Sequence, residues 1–191
     1  MTARTSSGHL KHKPAEMVAA AAYTTLVEAL RAEGNFKEAN RALEEMLTDY
    51  TSNYAKSMTY YEKAYNLAEM EESLDEALES AQLALRYSPK ELRQFPLAAL
   101  GWVYFKRRDF RSAVDFLTKS ADLGPTATNL MHLGMALLES GEKDRARQVF
   151  RRAKSFKIKG AGLEEKILEQ VRSATKLIDR LHQRRRKVAK G

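Results

Sequence analysis

Gln94 to Pro125 reads QFPLAALGWVYFKRRDFRSAVDFLTKSADLGP, and the spacing within it decides the fold. Leu97, Leu100-Gly101 and Tyr104 recur at three- and four-residue steps, the period of one helix face. Asp109 then stands where a helix N-cap would. Ala113 and Leu117 mark a second apolar stripe, and Pro125 ends the stretch. Two amphipathic helices joined by a short turn are predicted.

Working outward from Ala113, the same order recurs. A following copy runs from Ala127 to Gly160, with Leu130, Leu133-Gly134, Leu137, Ala146, Phe150 and Ala153. An earlier one begins near Met58, with Tyr61, Ala64, Ala68, Ala77, Ala81, Ala84 and Pro89. The first begins near Ala20, with Tyr23, Leu26, Leu30, Ala39, Leu43 and Met46. The starts fall at 20, 58, 94 and 127, and each second helix carries an alanine at the matching place: Ala39, Ala77, Ala113 and Ala146. Gly101 and Gly134 are small enough to let paired helices approach closely. Val27 and Tyr65 stand at the matching positions of the first two copies. Gly34-Asn35 and Gly141-Glu142 mark turns, and Ser73 is a further candidate cap.

This pattern resembles the tetratricopeptide-repeat family, whose unit of about 34 residues reads W-x2-L-G-x2-Y, then A-x3-F, then P. The resemblance implies an all-α superhelical solenoid of about four helix–turn–helix repeats with a C-terminal capping helix. On this reading 1–13 is a disordered basic tail, 14–160 holds the repeats, and 161–191 is the capping helix with a basic extension. Its apolar face is Leu163, Ile167, Val171, Ala174, Ile178 and Leu181.

Composition narrows the function. The chain has no cysteine, so it has no disulfide framework or cysteine-based metal site. No apolar run reaches the ~20 residues of a membrane span. The first residues lack the apolar core of a signal peptide, and a cytoplasmic location is expected. The formal charge of +8 is unevenly spread. From Glu142 onward stand 17 Lys/Arg and 6 Asp/Glu, a net of +11, which leaves −3 for the rest. His9 and His12 have no further metal ligand near them in sequence, and no catalytic triad order, phosphate loop or zinc-protease motif occurs. No enzymatic activity, metal or cofactor is expected.

The resemblance places the binding surface on the first helices of the repeats, which line a concave groove. Its positions correspond to Phe95, Ala98, Ala99, Trp102 and Phe105 in the third repeat, and to Thr128, Met131, His132, Met135 and Leu138 in the fourth. Phe95, Trp102, Phe105, Met131, His132, Met135 and Leu138 are therefore the candidate partner-binding residues. Trp102, the one tryptophan, is not needed by the repeat core, and an exposed aromatic and methionine-rich patch marks an interaction site. The alternative is that the chain's own terminal segments fill the groove. The first two repeats contribute Thr24, Thr25, Glu28 and Arg31, then Thr59, Glu62, Lys63, Asn66 and Glu69, a polar half that leans acidic. It lacks the Lys and Asn pattern with which some family members grip a C-terminal carboxylate.

The expected function is a non-catalytic adaptor or scaffold that holds a partner peptide or helix. Two other readings stand beside it. Arg184, Arg185, Arg186, Lys187 and Lys190, with Arg145, Arg147, Arg151, Arg152, Lys154, Lys157 and Lys159, could meet nucleic-acid phosphates or an anionic surface. No stacking aromatics accompany that run. The acidic first half of one copy could also meet the basic last half of another, giving a homo-oligomer.

Overall fold

The stripes read from the sequence fold as helix pairs. The structure, a computed structural model, describes residues 14–156. Among them are eight α-helices and no strand: α1 (Pro14–Ala32), α2 (Phe36–Asp49), α3 (Asn53–Met70), α4 (Leu74–Tyr87), α5 (Gln94–Lys106), α6 (Phe110–Leu123), α7 (Ala127–Glu139) and α8 (Lys143–Ser155). A 3-10 turn, Lys90–Leu92, precedes α5. Consecutive helices pair as α1–α2, α3–α4, α5–α6 and α7–α8. The first helix of each pair also touches the first helix of the next. That is the stacking of a solenoid, in which each repeat buries its face against its neighbours. The basic tail expected at 1–13 and the capping helix with its basic extension expected at 161–191 lie outside the described residues.

Local chemistry explains the helix ends. Asp109 accepts from the Ser112 amide at 3.0 Å and caps α6. Ser73 makes no such bond, contrary to the cap expected from sequence; its backbone carbonyl instead accepts the Ala77 amide. The capping box at α7 was not foreseen. Thr126 Oγ1 accepts from the Asn129 amide at 3.1 Å, and Asn129 Oδ1 accepts from the Thr126 amide at 2.8 Å. Asn129 Nδ2 also donates to Ser120 Oγ, which donates to the Gln94 carbonyl. This chain of bonds joins the starts of α5 and α7 to the end of α6. The turns inside the repeats share one device, a left-handed residue at Gly34, Glu71, Arg108 and Gly141. Two of the four are not glycine, so sequence marked only two.

Packing follows the small residues. Ala39, Ala77, Ala113 and Ala146 are all fully buried. A Cβ on Gly101 would meet the Leu117 side chain, and one on Gly134 would enter the Phe150 ring. Tyr65 does not take the matching position in the second repeat. Ser57 donates to the Ala84 carbonyl, Tyr60 stacks on Tyr87 and Lys63 pairs with Glu76. The face of α3 turned to α4 therefore includes the fully buried Ala64. Thirteen positions separate Ala64 from Ala77, against twelve between Gly101 and Ala113. The extra residue lies in the turn between Glu71 and α4, and Tyr65 faces α5 and α7. Leu26, expected in the first repeat's core pattern, is 47 % exposed.

Candidate functional site

The inner helices α5 and α7 are apolar nearly all round. Pro96 to Val103 is buried without a break, as is Asn129 to Gly134. Such helices must be covered on every side, and here the outer helices, α3 and each other do so. What α1, α3, α5 and α7 leave between them is a cleft of about 420 Å³.

An aromatic stack forms one wall of this cleft. Trp102 lies between Phe105, 4.9 Å away and parallel within 6°, and His132, 3.9 Å away at 14°. The indole Nε1 donates to Glu69 Oε1 at 2.7 Å. Tyr65 Oη sits 3.5 Å from His132 Nδ1, and Tyr61 meets Tyr65 edge-on at 5.1 Å. Lys106 Nζ lies 5.2 Å from the Trp102 ring centre, a cation–π contact, and pairs with Glu69 and Glu71 at 3.6 and 2.7 Å. Burial, aided by the Lys106 charge, pulls the His132 pKa down to about 3. The imidazole is therefore neutral at physiological pH and serves as an aromatic surface. Burial also pushes the Tyr61 and Tyr65 hydroxyls above their ordinary range.

At the other end the cleft rests on charge. Arg31 of α1 donates to Glu62 of α3 at 2.8 Å and to Asn66 at 3.1 Å. Asn66 Nδ2 donates onward to Asn40 of α2 at 3.2 Å. Glu62 is only 2 % exposed. Burial raises its pKa, and the charge and hydrogen bonds of Arg31 oppose that rise. The pair joins the first repeat to the second.

The seven predicted groove residues do not all meet here. Trp102, Phe105, Met131, His132 and Met135 line the cleft. Phe95 packs edge-on against Tyr61 at 5.9 Å, and Leu138 packs on the apolar core shared by α6, α7 and α8; neither lines the cleft. Trp102 is 5 % exposed, not an open anchor, because both ring faces and the N–H are already engaged. Phe105 and Met135 are the half-buried members. Of the polar half, Glu28, Arg31 and Glu69 line the cleft. Glu62 and Asn66 are buried beneath it, Thr59 donates to its own helix, and Lys63 faces α4. Reasoning from sequence missed Tyr61, Tyr65 and Lys106. The stripe Tyr61, Tyr65, Glu69, one helical turn per step, was the available signal. The basic residues 184–190 lie outside the described residues.

A sequence model of the tetratricopeptide repeat matches residues 128–155, which span α7 and α8. Two solved structures are similar to the chain. The MamA RS-1 ArsTM double mutant is 14% identical, with a TM-score of 0.51, over 86% of this chain and 96% of that one. MamA 41-end from Desulfovibrio magneticus RS-1 is 16% identical, with a TM-score of 0.45, over 71% and 93%. No curated protein matches the sequence. Identity at this level speaks to fold alone, and the family model speaks to the last described helix pair: residues 128–155 match a tetratricopeptide repeat, in a chain whose helix pairs stack in succession from α1 to α8.

Proposed function

We propose that the chain is an adaptor whose concave cleft holds a peptide or helix of a protein partner. Its fold is that of a protein-interaction scaffold, and no helix among the described residues is long and apolar enough to cross a membrane. The observation that carries the proposal is the cleft itself. Four first helices converge on about 420 Å³ of open space beside the Trp102–His132–Phe105 stack. A concave, mostly apolar site with a few placed polar groups is the usual form of a binding pocket. Phe105 and Met135 are the side chains a partner would reach first, with Trp102 and His132 stiffening the wall behind them.

A second reading rests on α8, where Arg151, Arg152 and Lys154 stand exposed on one short helix. That surface suits phosphates or an anionic surface. One experiment separates the two. A photo-crosslinking residue is placed at Phe105 or at Arg151, and the captured molecules are compared. The adaptor reading expects one protein partner from the Phe105 position, lost in Phe105→Ala/Met135→Ala and kept in Arg151→Glu/Arg152→Glu. Capture from Arg151 alone, unaffected by the cleft variant, would overturn it in favour of the basic face.

A further inference from the structure

The charges around the cleft say what kind of segment it takes. Each cation facing it is already paired. Arg31 is held by Glu62 at 2.8 Å, and Lys106 is held by Glu69 and Glu71. His132, on α7, is neutral. Glu28 of α1 lines the cleft and makes no hydrogen bond or ion pair among the described residues. Its charge is still felt by Arg31, Glu62 and Tyr61, so it faces the same cluster. Four carboxylates, Glu28, Glu62, Glu69 and Glu71, thus surround two cations, Arg31 and Lys106. Arg108 and Glu139 both line the rim beyond Lys106, and the Arg108 charge acts on Glu71.

An acidic ligand would meet this excess negative charge, with Arg31 and Lys106 already paired and Arg108 out at the rim beside Glu71. A Lys or Arg would find Glu28 unpaired and the rings of Tyr61 and Phe105 nearby, where a cation is attracted to the ring, whereas the Tyr65 ring already has Arg31 over it at 6.0 Å. We infer that the cleft selects a cationic partner segment, one whose Lys or Arg lies within a helical turn of an apolar or aromatic side chain. The apolar group seats against Phe105 and Met135, and the cation reaches Glu28. The inference rests on the cleft being the binding site and names the chemistry of what it binds. Charge complementarity of this kind sets partner choice and association rate.

The test is a selection of displayed random peptides on the full chain, with counter-selection on Phe105→Ala/Met135→Ala. Peptides that depend on the cleft should be enriched in Lys or Arg beside apolar residues. Their affinity should fall about tenfold in Glu28→Lys, an exposed helix position where substitution has little effect on folding. It should also weaken as salt is raised. Cleft-dependent peptides that are acidic or uncharged, or that ignore Glu28→Lys, would overturn the cationic inference and leave the cleft as the site. Peptides that bind equally well to the counter-selection variant would overturn the cleft reading itself. A synthetic peptide of residues 163–187 is included as a probe. If it binds the cleft more tightly than every selected peptide, the occupant is the chain's own segment and the external partner is overturned.

Discussion

At the α1–α3 junction, Arg31 reaches across to Glu62 and Asn66, and Asn66 reaches Asn40. At the α5–α7 junction, Trp102 lies flat on His132 at 3.9 Å, in a wall extended by Phe105 and Met131. Both junctions join first helices of neighbouring repeats, and both form part of the cleft. They fail in different ways. A buried ion pair is held by direction and charge, so removing one partner strands the other. An aromatic and aliphatic contact is held by volume, so it resists modest chemical change and suffers from a void or an overlap. The first two repeats should therefore be sensitive to charge, and the last two to size.

The largest effect is expected at the polar junction. Glu62→Ala should lower stability by about 3–5 kcal/mol, because Arg31 would be left buried without its carboxylate. Arg31→Met/Glu62→Leu should restore most of the loss. Breaking the exposed Asp115–Lys119 pair on α6 should cost less than about 0.5 kcal/mol. Urea denaturation of the four proteins checks all of this. Equal losses for Glu62→Ala and for the exposed pair would remove the contrast between buried and surface charge.

A smaller effect is expected at the packed repeats. Gly134→Ala should cost about 1–3 kcal/mol, since the new methyl group would enter the Phe150 ring. Phe150→Leu in the same chain should recover part of that loss by giving way. An unchanged melting temperature for Gly134→Ala would show that α7 and α8 are not in the close contact described.

The third effect is a pH dependence. His132 has a folded pKa of about 3 against an ordinary 6.5. Between those values the unfolded chain takes up a proton that the folded chain refuses. Stability is full above pH 6.5 and falls as pH drops toward 3, by at most about 1.4 kcal/mol per pH unit. The raised Glu62 carboxyl acts in the opposite direction below its own folded pKa, so the histidine contribution is read as wild type minus His132→Phe. If the two proteins lose stability in parallel from pH 6.5 to 5, His132 is not held neutral by burial.

Much of the fold was legible because its determinants are local. Helix period, the four matching alanines and the two close-packing glycines depend on residues a few turns apart, and each alanine is fully buried where the pattern placed it. The cleft was legible in part: Trp102, Phe105, Met131, His132 and Met135 came from the repeat register. Tyr65 did not, because one added residue in the turn between Glu71 and α4 puts Ala64, not Tyr65, in register with Gly101 and Gly134, and a strict repeat count cannot see a one-residue insertion in a turn. The sequence alone determined that the chain is a stack of helix pairs and which helices line its inner surface. Tertiary structure decided that Trp102 is buried, that Arg31 is already paired and that His132 is neutral. Their partners lie 31 to 67 positions away along the chain, and only the stacking of successive repeats brings them within reach.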